Sequence, residues 1–135
     1  YTTPLLLGWQ DDMGICAYAM AQLSKMATID TPVLEIIDLV ALERAPAQAV
    51  PELVDALLLA ARAMGASKLR LHVLSETLKQ QLGPKLDSAR MEGGWGHGHA
   101  HFYEKAESFA DWNLTPFDGC YSYNLRQPRF RGMAA

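Results

Sequence analysis

The chain has 135 residues, 50% of them apolar, and a formal net charge of −3. That length sets a single domain with a core of its own, needing no disulfide or metal staple. The mild charge argues against nucleic-acid binding, and no apolar run approaches the ~18 residues of a membrane span. The two cysteines, Cys16 and Cys120, have no spacing of a disulfide framework or zinc knuckle. They read as reduced thiols in a cytoplasmic protein. The sequence starts at Tyr1, without the charged and apolar pattern of a secretory leader, and reads as a piece of something longer.

The predicted elements begin with a β-hairpin. Leu5-Leu6-Leu7-Gly8-Trp9-Gln10 is a short strand, and Asp11-Asp12-Met13-Gly14 supplies turn signals. Residues 15–23 return as a second strand, apolar on both faces, which predicts a central, covered position. Residues 24–32 read as a loop. Residues 33–42 form the next strand, with Glu35 and Asp38 among its β-formers. Strict alternation sends these two carboxylates to opposite faces.

Residues 51–64 form the main helix. Pro51 suits its first turn, and Glu52 and Asp55 suit the positive end of its dipole. Leu53, Ala56, Leu57, Ala60, Ala61 and Met64 make one stripe at helical spacing, and Gly65 stops the helix. Residues 68–74 are a strand with Lys68, Arg70 and His72 alternating along it. Ser75 caps a helix over 76–82, which Gly83-Pro84 ends. Residues 85–91 read as another turn or two of helix, 92–98 as a loop and 99–104 as a strand. From Ala110 onward, turn residues mix with Trp112, Phe117, Tyr121, Tyr123 and Phe130. That mixture predicts an irregular arm packed on a surface. The expected division is a core over 1–109 and an arm over 110–135.

The order hairpin, strand, helix, strand, helix, strand over residues 5–103 resembles the C-terminal two-thirds of the GNAT superfamily of acyl-CoA-dependent N-acyltransferases. Leu34-Glu35-Ile36-Ile37-Asp38-Leu39-Val40 looks like the family's central strand, with acidic residues among β-formers. Residues 53–65 followed by Lys68-Leu69-Arg70-Leu71-His72-Val73 look like its main helix and next strand. The resemblance implies an α+β (α/β) fold: a mixed, mostly antiparallel sheet with helices packed on it. It implies acetyl-CoA or another acyl-CoA as cofactor, and a small-molecule or protein amine as acceptor. It places the cofactor against Leu39 and Val40, with its pyrophosphate near Arg44, Ala47, Gln48, Ala49 and Val50.

Three departures accompany this resemblance. The family's turn reads Gln/Arg-x-x-Gly-x-Gly/Ala, and its backbone N–H groups receive the pyrophosphate. Here Arg44 opens the turn, but Ala47 and Ala49 hold the glycine positions, and Pro46 and Pro51 each remove an N–H donor. Many members place a tyrosine general acid on the second helix, and Glu76-Thr77-Leu78-Lys79-Gln80-Gln81-Leu82 has none. The family's first strand and two substrate-gripping helices are also absent from these 135 residues.

Glu35 and Asp38 are the candidate general bases for an amine, acting directly or through a water. Their plainer reading is carboxylates satisfied by backbone or arginine. His97, His99 and His101 share one face if they lie on a strand, with His72 as a fourth neighbour. One strand seldom supplies three metal ligands, so no metal is expected and a polar strand face is the simpler reading. Trp95, Trp112, Phe102, Tyr103, Tyr121 and Tyr123 either line an aromatic pocket or anchor the tail. Arg126, Arg129 and Arg131 meet an anionic partner or simply solvate the end.

Two functions follow. One is an N-acyltransferase with an altered cofactor loop. The other is a degenerate, non-catalytic relative that binds a ligand or a protein. Without the family's N-terminal elements the sheet keeps an open edge, which predicts a homodimer or a longer parent chain.

Overall fold

A computed structural model of the chain describes residues 3–24, 31–71 and 75–90. The expectations for His72, the histidine run, the 99–104 strand, Cys120 and the 110–135 arm lie outside these residues.

Strands β1 (Leu5–Asp11) and β2 (Gly14–Ser24) form the expected hairpin. Asp11 Oδ1 accepts the Met13 N–H at 2.8 Å, and Gly14 takes a positive φ of 116°, which closes the turn. Strand β3 (Val33–Ala41) pairs antiparallel with β2, and β4 (Lys68–Leu71) pairs parallel with β3. The sheet order is β1-β2-β3-β4, so β2 and β3 are central. This is the mixed, mostly antiparallel sheet expected from the sequence.

Helix α1 (Ala49–Ala63) begins two residues before the expected start at Pro51. The first i→i−4 bond runs from Glu52 N–H to the Gln48 carbonyl, at 2.9 Å. Pro51 therefore occupies the last position whose N–H the helix does not use. At the other end, Gly65 has φ 70°, and its N–H and that of Ala66 return to the carbonyls of Arg62 and Ala61. That pair of bonds is a Schellman stop, which a glycine in the left-handed region makes possible. Ser75 Oγ accepts the Leu78 N–H at 3.1 Å and caps α2 (Glu76–Leu82). Pro84 then opens a single further turn, α3 (Pro84–Asp87).

The core lies between one sheet face and the helices. Ala17, Ala19 and Ala21 of β2 meet Leu34, Ile36 and Leu39 of β3 beneath Leu53, Leu57 and Ala61 of α1, with Leu78 and Leu82 of α2 beside them. The small β2 side chains leave room for the helix to approach closely. The buried stripe of α1 includes Val50 and Val54, whereas Ala56 and Met64, expected on it, are exposed. The buried stripe is thus turned toward Val50 and Val54.

Alternation fails at one point in β3. Met20 pairs with Asp38 and Ala21 with Ile36, so Ile37 has no partner on β2. This is a β-bulge, which places one extra residue on one strand. Glu35 pairs with Gln22 and Asp38 with Met20. Gln22 and Met20 have the same parity on β2, so Glu35 and Asp38 share one face. The expectation of opposite faces is overturned, because the bulge resets the alternation between them. A second irregularity leaves Cys16 without a partner on β1.

Leu57 of α1 is fully buried at 0% exposure. Leu57→Ala is expected to cost about 3 kcal/mol of unfolding free energy, through lost transfer energy and a residual cavity. Urea denaturation checks this; a loss under about 1 kcal/mol contradicts a close-packed α1–sheet interface.

Candidate functional site

The face opposite α1 carries a line of polar side chains across three strands. Tyr18, Gln22 and Ser24 come from β2, Glu35 and Asp38 from β3, and Arg70 from β4. The period of two places them together, once the Ile37 bulge has turned Asp38 to this side. Glu35 and Asp38 are 1% and 7% exposed. A charge so far from water needs close partners. Arg70 Nη1 lies 2.8 Å from Glu35 Oε1, and Ser24 Oγ donates to the same oxygen at 3.3 Å. The Tyr18 hydroxyl donates to Asp38 Oδ2 at 2.6 Å.

Burial pushes the Glu35 carboxyl above its ordinary value, opposed by the positive charge of Arg70, the Ser24 hydrogen bond and Lys68. A carboxylate in this setting is a better proton acceptor than one in water. Asp38 accepts from a phenol, that of Tyr18.

The other expected site residues lie at the top of β3 and in the loop to α1. Val40 pairs with Tyr18 and shares the carboxylate face, while Leu39 pairs with Ala19 and is buried against α1. Within residues 42–48 the chain makes two successive tight turns, Ala45 N–H to the Leu42 carbonyl and Ala49 N–H to the Pro46 carbonyl. Arg44 is turned toward the hairpin. Its Nε lies 3.0 Å from Asp11 Oδ2 and its Nη2 donates to the Ile15 carbonyl at 3.2 Å. The hydrogen bond from Arg44 holds the Asp11 carboxyl below its ordinary value. The Leu42 N–H also donates to the Cys16 carbonyl, so the hairpin anchors this loop at three points.

Among the described residues, the N–H groups of Ala47 and Gln48 meet no acceptor, and both residues are exposed. Ala49 and Val50 are buried at the start of α1. The positive end of the 15-residue helix thus follows two exposed residues. No group of three His, Cys, Asp or Glu among the described residues is arranged to hold a metal. No described helix is long and apolar enough to cross a membrane.

No protein-family model matches the sequence, and no curated protein matches it. Solved structures do match. An aminoglycoside acetyltransferase from an uncultured soil metagenomic sample superposes with a TM-score of 0.56 at 15% identity, over 72% of this chain and 66% of that one. A ribosomal-protein-alanine N-acetyltransferase from Brucella melitensis biovar Abortus 2308 gives 0.54 at 14% identity, over 72% and 70%. A probable acetyltransferase gives 0.54 at 12% identity, over 76% and 70%. The fold is that of the GNAT acetyltransferases. The chain spans a little under two thirds of the first of these proteins and 70% of the other two.

Within this GNAT-like fold, the plainer reading of a carboxylate satisfied by arginine describes Glu35, which pairs with Arg70, while Tyr18 and Ser24 were not named as partners from the sequence. Their spacing carries the signal only when the bulge is known. With Ile37 taken out of register, Tyr18, Gln22 and Ser24 fall on the same side as Glu35 and Asp38.

The raised proton affinity of Glu35 has a defined effect on stability. The folded protein binds this proton more tightly than the unfolded chain, so Glu35 favours folding at low pH. That contribution is lost as pH rises above 4.5, the ordinary glutamate value, through the higher folded value. Urea unfolding from pH 4.5 to 7.5 is therefore expected to show wild type losing stability relative to Glu35→Gln as pH rises. Parallel curves contradict a raised Glu35.

Proposed function

We propose that the chain transfers an acyl group from an acyl-CoA to an amine. The observation that carries this reading is the pair of buried carboxylates, Glu35 and Asp38, brought to one face of the central strand of a GNAT-like fold. An ammonium acceptor loses two protons in becoming an amide, one before the C–N bond forms and one after. Glu35 and Asp38 are two buried carboxylates on one face, one for each of these protons.

The loop fits the pyrophosphate of an acyl-CoA in part. Ala47 and Gln48 are exposed residues at the positive end of α1, where helix starts bind phosphate. Leu39 and Val40 continue β3 beyond Ile36↔Leu71, the last pair of the described β3–β4 ladder, toward the loop before α1. Ala49 and Val50 shape the helix start. Bound there, acyl-CoA supplies an activated thioester carbonyl. Arg44 reaches the pyrophosphate only by loosening its hold on Asp11.

That same Arg44–Asp11 pair, with Pro46 and Pro51, favours a second reading: a non-catalytic relative that binds a different ligand or a protein. One experiment separates the two. Calorimetry measures acetyl-CoA binding, and a thiol assay measures CoA release with a panel of an aminoglycoside, a peptide with N-terminal alanine, and spermidine. The structural neighbours act on the first two kinds of molecule by name. The proposal expects micromolar binding and turnover with at least one amine, and a fall of about 10²-fold in kcat for Glu35→Gln. A well-folded sample with neither binding nor thiol release overturns acyl transfer and leaves the second reading.

A further inference from the structure

The two carboxylates on the face opposite α1 are engaged differently. Glu35 Oε1 is held by Arg70 at 2.8 Å and by Ser24 at 3.3 Å, and Glu35 is 1% exposed. Asp38 Oδ2 takes the hydroxyl of Tyr18 at 2.6 Å, a short contact of the kind made between a hydroxyl and a carboxylate. Tyr18 pairs with Val40 in the ladder, so its ring reaches Asp38 on the diagonal, two residues along β3. Asp38 is 7% exposed, whereas Tyr18 is only half-buried. Tyr18 is thus the more exposed member of the pair, and its ladder partner Val40 lies at the end of β3 assigned above to the cofactor.

Resting on the acyl-transfer reading, we propose that Tyr18 relays the first proton of the acceptor ammonium to Asp38. Tyr18 Oη accepts a proton from the ammonium nitrogen as its own proton passes to Asp38 Oδ2. One N–H bond and the original phenolic O–H bond break; a new O–H forms on Tyr18 and another on Asp38. The products are a neutral amine, a neutral phenol and a neutral Asp38 acid, so charge and protons balance. Asp38 returns its proton to solvent by the reverse passage through Tyr18. Glu35, held by Arg70, remains to receive the second proton after the C–N bond has formed. Tyr18 touches the reacting amine in this scheme and is a catalytic residue; Arg70 and Ser24 act through Glu35 and are positioning residues.

The test uses the intact chain, acetyl-CoA, and the amine of the panel that gives the fastest thiol release. Tyr18→Phe keeps the ring and removes the relay atom. The expected result is a fall in kcat on the order of 10²-fold, with the amine KM and the calorimetric Kd for acetyl-CoA each within about threefold of wild type. The double variant Tyr18→Phe with Asp38→Asn is expected to be no slower than the slower single variant, because the two groups act in series. Wild-type turnover unchanged by Tyr18→Phe overturns the relay and leaves acyl transfer standing. Losses that multiply in the double variant, or that appear equally in Kd and melting temperature, also overturn it. No thiol release by wild type with any amine overturns acyl transfer and the relay together.

Discussion

Between Ile36 and Asp38, strand β3 carries one residue more than β2 opposite it, and the placement of both buried carboxylates depends on that extra residue. Without it, Asp38 would point at Leu53 and Leu57 on the α1 side. A carboxylate there would lie in an apolar core with no cation or donor beside it, at a cost of several kcal/mol. Leu39 would turn to the polar face and leave a gap under the helix. The bulge sorts the strand instead: Leu34, Ile36 and Leu39 face α1, and Glu35 and Asp38 face Tyr18, Ser24 and Arg70. Core packing and site chemistry are thus settled by the same local geometry.

A second constraint is set by the start of α1. The helix is fixed to the sheet by Leu53, Leu57 and Ala61, and to β1 by a hydrogen bond from the Trp9 indole N–H to Glu52, at 2.8 Å. Its positive end therefore has a settled position relative to β3. The loop before it is tied to the hairpin through Arg44 and Leu42. In a glycine-rich loop, the backbone itself approaches an anion closely. Here side chains and two prolines stand in that place, and Ala47 and Gln48 are exposed residues whose N–H groups have no acceptor among the described residues. This loop is held by partners within the chain, Asp11 on Arg44 among them.

Much of the fold was legible in the sequence because its signals are local. The Asp11 to Gly14 turn, the Ser75 cap and the Gly65 stop each depend on a few neighbouring residues, and each is where the sequence places it. The order of elements carried the resemblance to the GNAT fold. Other features depend on contacts far apart in the chain. Nothing around Ile37 marks a bulge, since Ile36 and Ile37 are equally good strand formers, and the register is set by the pairing with β2. The early start of α1 depends on a carbonyl at Pro46, and the exposure of Ala56 and Met64 on how the helix lies over the β2 alanines. Glu35 and Asp38 could be found as acidic residues in an apolar strand. Their partners Tyr18 and Arg70, on neighbouring strands, could not be found without the register.

The polar face, the apolar face and the proposed chemistry all follow from the β2–β3 register. Cross-strand nuclear Overhauser contacts in the isotope-labelled protein report that register directly. The account predicts contacts pairing Met20 with Asp38 and Ala21 with Ile36, with Ile37 facing no residue of β2. An unbroken ladder in which Ile37 takes a β2 partner of its own, and Asp38 pairs one residue further along, would place Asp38 on the α1 side and contradict it.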